Sequence, residues 1–360
     1  MYIAYILDSK TLQIKDILEY SEYSFQEDID FSSKSTITAA RMPNIENDDF
    51  VVCKDGNTVA FQGLCESYSS SKNDAEYTIT LIQRECLFDR AIFVDGEDII
   101  SSVGIEDFIV KCITDNWLST GDELMDAQNI TAAAGTHTKV NAAVSTTVDV
   151  QENVFNLKTY LGNAKQYYGI YLDFDLKNGS LGITVKHKEG DALPVDIQVS
   201  DIADYTEVYD INVLAKLNVK WKIPDSEDEN GNAVVGAVTD RRFYLRTDKT
   251  ITEDGDDPER ADGIVRNKWI ETESEDDMIQ QVRNEFTSNS YNHKISFSLI
   301  RTSKLYDEKD FYVGRKCTIK TKSGIRSSII TQAQVSSTSV LKDLVFGNLK
   351  VTLIEKLRRA

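Results

Sequence analysis

The amino-acid sequence predicts a mainly β protein with an α+β insertion: two duplicated antiparallel β-barrel domains plus inserted smaller domains. Three observations carry this. Phe50 to Leu87 and Phe311 to Leu357 present the same signals in the same order, a β-branched strand, a small-residue turn, a second strand, a serine-rich break and an alternating strand. Period-two alternation dominates both ends of the chain, and helical spacing is confined to three places between them.

Residues 2–7 and 11–20 read as a strand pair across Asp8-Ser9-Lys10, and 24–30 and 35–41 continue the pattern. Asp55-Gly56 then joins two strands in a hairpin. After Ser69 to Ser71 comes the alternating run Tyr77-Thr78-Ile79-Thr80-Leu81-Ile82, which completes a first barrel over 1–98. Its last stretch, Ala91 to Ile100, is a connector with a turn at Asp95-Gly96.

An α+β middle domain is predicted over 99–194. Ile105, Phe108, Ile109, Cys112, Ile113 and Trp117 recur at helical spacing behind Ser102 as a cap, giving a helix over 105–118. Thr131 to Val150 suits loop and strand. Val154, Leu157, Tyr160, Leu161, Ala164 and Tyr168 mark a second helix that stops before Gly169. Ile170 to Asp175 and Leu181 to Lys186 pair across Lys177-Asn178-Gly179-Ser180.

The second barrel is assigned to 195–222 and 292–360, including the long alternating run Ile211 to Ile223. An insertion over 223–291 separates its halves. Two acidic loops, Asp225 to Gly231 and Glu253 to Glu259, bracket a strand at Arg241 to Thr247, and Ser274 with Asp277 forms a capping box for a helix over 275–288. The terminal unit closes with Leu349-Lys350-Val351-Thr352-Leu353-Ile354, whose Thr-Leu-Ile matches Thr80-Leu81-Ile82.

With 40 Lys and Arg against 59 Asp and Glu, the net charge of −19 disfavours phosphate backbones and anionic membranes. Five scattered cysteines (Cys53, Cys65, Cys86, Cys112, Cys317) read as buried free thiols of a reducing cell. The N-terminus has no basic flank or long apolar run, and no stretch approaches the roughly 18 apolar residues of a membrane span.

No catalytic, cofactor-binding or metal-binding residue is assigned. His137, His187 and His293 fall in no ligand motif, the cysteines form no C-x-x-C, and nucleophile-elbow and phosphate-loop patterns are missing. Asp225, Glu227 and Glu229 alternate as a calcium loop would, but glycine falls at Gly231 and Gly236 stands where the closing glutamate belongs; Asp173-Phe174-Asp175 is spoiled by Lys177. The 16 Tyr and 14 Phe suit core and interface packing, with glycan stacking the rarer reading.

The order of parts, together with the stretch F-Y-V-G-R-K-C-T-I-K-T-K-S-G-I-R-S-S-I-I-T, resembles the baseplate or tail-tip hub proteins of tailed bacteriophages, including the N-terminal part of tail-associated lysins and related prophage and tailocin proteins. Phe311, Gly314, Gly324, Ser327 and Ser328 match that pattern, Arg315 replaces its aspartate, and the early copy keeps Asp48 and Gly56 but has Asn47 in place of glycine. The resemblance implies a homotrimer whose duplicated barrels make a pseudo-sixfold ring, joining distal tail or tail-tube proteins to a tip spike, lysin or receptor-binding protein. DNA would pass through its centre without specific binding. It also implies a virion tail tip assembled in the host cytoplasm, no cofactor and no enzymatic activity, any lysin being a separate polypeptide. The alternatives are a cell-wall hydrolase using Asp173 and Asp175, or a carbohydrate-binding adhesin module.

Overall fold

The computed structural model describes residues 2–70, 76–94, 104–124, 126–138, 154–177, 179–188, 190–209, 214–227, 231, 233–247, 250–288 and 293–347. They are mostly strand, with a few helices, and divide into two compact units: Met1–Thr206 with Ile295–Phe346, and Glu207–Lys294 with Gly347–Ala360.

In the first unit, β1 (Tyr2–Leu7), β2 (Ile14–Asp28), β3 (Lys34–Ala39), β4 (Phe50–Asp55), β5 (Thr58–Ser70) and β6 (Tyr77–Gln83) pair in the order β1-β4-β5-β6-β3-β2. Pairing of β1 with β2 closes the ring, so this barrel has no free edge. Alternation supplies its core, with Ala4, Ile6, Leu18, Ile37, Ile79 and Leu81 all fully buried. The sequence splits β2 in two, whereas the structure runs it unbroken through Ser21 to Tyr23. Its first half serves β1, and its second half serves β3 and a strand of the other barrel.

The α+β part follows. β7 (Ala91–Phe93) pairs with β9 (Val154–Asn156), and β8 (Ile130–Ala134) joins β10 (Ile170–Lys177) and β11 (Ser180–His187) in the order β10-β11-β8. Helix α1 (Ile105–Ile113) ends earlier than its apolar spacing suggests, and a π turn over Thr114–Leu118 carries Trp117 instead. Gly104 is its N-cap; Ser102, the Asp95-Gly96 turn and 139–150 lie outside the described residues. Helix α2 (Leu157–Tyr168) stops at Gly169, whose φ of 65° is the left-handed cap. Its N-cap Asn156 accepts a hydrogen bond from the Thr159 N–H at 3.1 Å. Asn156→Ala is expected to cost about 1 kcal/mol in denaturant unfolding, and a change under about 0.3 kcal/mol would refute the cap.

The chain next forms β12 (Leu193–Asp196) and β13 (Ile202–Tyr209), then leaves for the second unit. There β14 (Leu214–Lys222), the ribbon β15 (Ser226–Glu227) and β16 (Ala233–Val234), β17 (Val238–Leu245), β18 (Ile251–Thr252) and β19 (Ile264–Glu271) precede helix α3 (Glu275–Ser288). The sheet order is β18-β17-β14-β19. This corrects the placing of the run Ile211 to Ile223 in the second barrel for its described part, Leu214–Lys222; Ile211 to Val213 lie outside the described residues. The alternation of Leu217, Val219 and Trp221 is genuine, but these residues pack with Phe243, Ile270 and the α3 residues Met278, Val282 and Phe286. Half of the capping box forms: the Asp277 N–H donates to Ser274 Oγ at 3.3 Å, while the Ser274 N–H donates to Thr272 Oγ1 at 3.3 Å and not to the Asp277 carboxylate.

Four strands complete the second barrel: β20 (His293–Ile300), β21 (Lys316–Thr321), β22 (Gly324–Ser336) and β23 (Leu341–Phe346). Its order, β12-β21-β22-β23-β20-β13, repeats that of the first. The repeat extends to irregularities. The β5–β6 pairing bulges at Glu66, between Cys65↔Leu81 and Ser67↔Thr80; the β22–β23 pairing bulges at Thr331, between Ile330↔Phe346 and Gln332↔Val345. One strand differs, for β12 runs parallel to β21 whereas β1 runs antiparallel to β4.

The closing strand is therefore Leu341–Phe346, with Leu344 and Phe346 buried where Ile79 and Leu81 lie in the first barrel. The Thr-Leu-Ile match places a strand at Leu349 to Ile354, which lies outside the described residues. Lys342 and Asp343 mask the real strand: Lys342 Nζ donates to the Glu308 carbonyl at 3.2 Å, and Asp343 accepts from Ser298 Oγ at 2.6 Å.

Candidate functional site

The two barrels are fused through β2 and β22, antiparallel from Ser24↔Ser336 to Asp28↔Gln332. Ser337 and Tyr23 extend the seam, the Ser337 N–H donating to the Tyr23 carbonyl at 3.0 Å and the Tyr23 N–H to Ser337 Oγ at 3.1 Å. A ladder of rings backs it on the first-barrel side: Tyr23 stacks on Phe25 at 4.5 Å between centroids, and Phe25 on Phe61 at 4.9 Å. Arg301 ties the far side down, donating to Tyr23 Oη at 3.3 Å and to Glu308 at 3.1 Å.

Below the seam the middle domain meets both barrels around a cavity of about 90 Å³. Glu27, Arg84 and Glu85 come from the first barrel, Lys165 and Tyr171 from the middle domain, and Tyr312 from the second barrel. Lys165 is 9% exposed and makes no ion pair with another described residue. Its ammonium lies over the rings of Phe31 at 5.1 Å and Tyr171 at 5.8 Å. Burial holds its pKa below the ordinary lysine value, against the opposing pull of Glu85 and Glu27.

Gly314 accounts for the fit. Its φ is 93°, and a Cβ there would lie 2.5 Å from Tyr171 Oη and 3.2 Å from Lys165 Cγ. The glycine of the C-terminal motif thus lets the second barrel sit against the middle domain. Arg315, the departure from the motif, donates to the Asp191 carbonyl at 3.0 Å and packs on Gly190, which holds the segment leading into β12.

The residues weighed for chemistry are otherwise engaged. Asp173 is paired with Lys186 and Lys188, and Asp175 with Lys177, each carboxylate being tied to ammonium groups. Asp225 accepts from the Gly236 N–H at 2.8 Å and from Lys222 at 3.1 Å, while Glu229 lies outside the described residues. His137 Nδ1 is 2.9 Å from Asp107, which raises its pKa; His293 is buried, and the His187 N–H donates to Thr136 Oγ1 at 2.7 Å. No group of three or more His, Cys, Asp or Glu side chains able to hold a metal occurs among the described residues. All five cysteines are free, four of them buried, and burial pushes Cys65 and Cys86 up to about 11. No helix among the described residues is long and apolar enough to cross a membrane.

Sequence alone does not disclose this junction: Gly314 and Arg315 stand out as motif positions, but Lys165 and Tyr171 read as ordinary positions of a helix and a strand.

No protein-family model and no curated protein matches the chain. Solved structures do. The 43 kDa tail protein of prophage MuSo2 from Shewanella oneidensis aligns over 96% of this chain and 97% of its own, at 11% identity and a TM-score of 0.52. A tail protein from Neisseria meningitidis MC58 aligns over 98% of both chains at 9% identity and a TM-score of 0.54. Prophage tail protein gp18 from Listeria monocytogenes aligns over 99% of this chain and 98% of its own, at 10% identity and a TM-score of 0.53. The fold of this chain is that of prophage tail proteins, end to end.

Proposed function

We propose that the chain is a structural component of a phage or phage-like tail, working as a trimeric hub in which three molecules present six similar barrels around a central opening. The observation that carries this is the repeat: the two barrels share strand order, a two-residue hairpin loop and the position of a bulge, and are joined through β2–β22. Two like modules per chain are what a threefold assembly needs to meet a sixfold tube. A net charge of −19 suits an opening that DNA passes without sticking. In this reading the tail tube lies on one side, a spike, lysin or receptor-binding protein on the other, and the protein acts at the virion tail tip after assembly in the host cytoplasm. The domain division is the first barrel, the middle domain, and a second barrel interrupted by the sheet-and-helix unit.

No catalytic step belongs to this role, so zymography on bacterial cell walls is expected to give no clearing. Native mass spectrometry of the full chain, alone and with its co-expressed tail partners, tests the assembly. A species of three times 40.5 kDa is the expected result. Dimers, or monomers alone even with tail partners bound, would overturn the trimer.

A further inference from the structure

We infer that the face of the second unit's sheet turned away from helix α3 is a binding site for an anionic, phosphate-bearing glycan. The register sets this face. Lys216, Asn218 and Lys220 on β14 stand beside Tyr244, Arg242 and Asp240 on β17, and beside Val265, Asn267 and Trp269 on β19. Their alternate neighbours, Leu217, Val219, Phe243 and Ile270, point the other way and form the core with α3.

The exposed side is a cleft of about 660 Å³. Three features give it the chemistry of a sugar site with added charge. Trp269 is 54% exposed, a large ring on a solvated face. Asn218 and Asn267 face each other across the strands, Asn218 Nδ2 donating to Asn267 Oδ1 at 2.9 Å, and Asn218 Oδ1 is buried without a hydrogen-bond partner. Paired amides of this kind offer donors and acceptors to hydroxyl groups, and a buried acceptor left unmatched is an anomaly that a ligand hydroxyl would relieve.

The third feature is charge. Lys216, Lys220 and Arg242 form no salt bridge with another described residue, whereas Lys222 is neutralised by Asp225 and Glu271. Asp240 is the one anion among the described residues lining the cleft, so these residues carry excess positive charge on a protein of net −19. At physiological ionic strength charges beyond about 8 Å are screened, so a ligand at the cleft meets the local cations rather than the acidic remainder. The other occupant that charge would allow is an acidic surface of a second copy; the exposed indole and the amide pair favour a sugar.

The test uses the full chain with glucosylated poly(glycerol phosphate) teichoic acid as probe, read by isothermal titration calorimetry at two salt concentrations. Saturable binding that weakens with salt is expected, falling about tenfold in Trp269→Ala and in the double variant Lys220→Glu, Arg242→Glu. All of these side chains are on the solvent side of the sheet, so unchanged unfolding midpoints show that the variants are folded. Three results would each overturn the site: no binding by the wild-type chain, equal binding of a double-stranded DNA fragment, or variants that change the native mass while leaving teichoic acid binding intact. The first two have no bearing on whether three chains form a hub; the third would make this face a contact between copies.

Discussion

Gly314→Ala is expected to destabilise the first unit by about 3 kcal/mol, more than any other single methyl addition argued from this structure. Two effects add. The φ of 93° lies where a side chain is strained, which costs about 1 kcal/mol. The new Cβ would also press on Tyr171 Oη at 2.5 Å, and overpacking of this kind costs about 1–3 kcal/mol. Tyr171 has little room to yield, being 8% exposed, held edge-on by Tyr312 at 5.7 Å and covered by Lys188 at 4.6 Å. Gly56→Ala is the control: its φ is 57°, but nothing lies within 4 Å of the added carbon, so only the backbone cost of about 1 kcal/mol applies. Urea unfolding of the two variants separates the contributions. Equal losses would mean that Tyr171 is not the wall described, and that the middle domain is not seated on this glycine.

That pair of glycines also shows how much the chain discloses before it folds. A turn is a local matter, so Asp55-Gly56 and Ser323-Gly324 marked their hairpins correctly, and the caps at Gly169 and Ser274 stopped and started their helices where expected. Alternation identified strands well but said nothing of partners. Leu214 to Lys222 alternates as a barrel strand would, and only its neighbours Phe243, Ile270 and Met278 decide that it belongs to another sheet. The closing strand failed for the opposite reason. Lys342 and Asp343 carry charges into a half-buried strand because Glu308 and Ser298, distant in sequence, are there to receive them. The junction was least legible, since a lysine at helical spacing looks solvated until Phe31 and Tyr171 close over it.

That lysine gives the second large expectation: Lys165→Met should stabilise the first unit by about 1–2 kcal/mol at pH 7. A buried ammonium without a carboxylate in contact has lost much of its hydration, with the faces of two rings in its place, and an unbranched apolar chain of similar length fills the same space without that loss. The pH dependence follows from the direction of its shift. Its pKa in the folded state lies below the 10.5 of the free side chain, so between those two values the unfolded chain holds a proton that the folded chain has released. Stability attributable to Lys165 therefore rises with pH through that window, and the advantage of the methionine variant should shrink as pH approaches 10.5. Cys65 and Cys86, pushed up to about 11 from 9.0, act in the opposite sense: the unfolded chain loses those protons first, and stability falls as pH rises past about 9. Both forms of the protein share the thiols, so the difference between wild type and variant isolates the lysine. Denaturant midpoints measured at intervals from pH 7 to 10 give that difference directly. A variant no more stable than wild type at pH 7, or an advantage that does not change with pH, would show that Lys165 finds an anion at the junction after all, and that the cavity beside it is a closed ion pair rather than a buried charge.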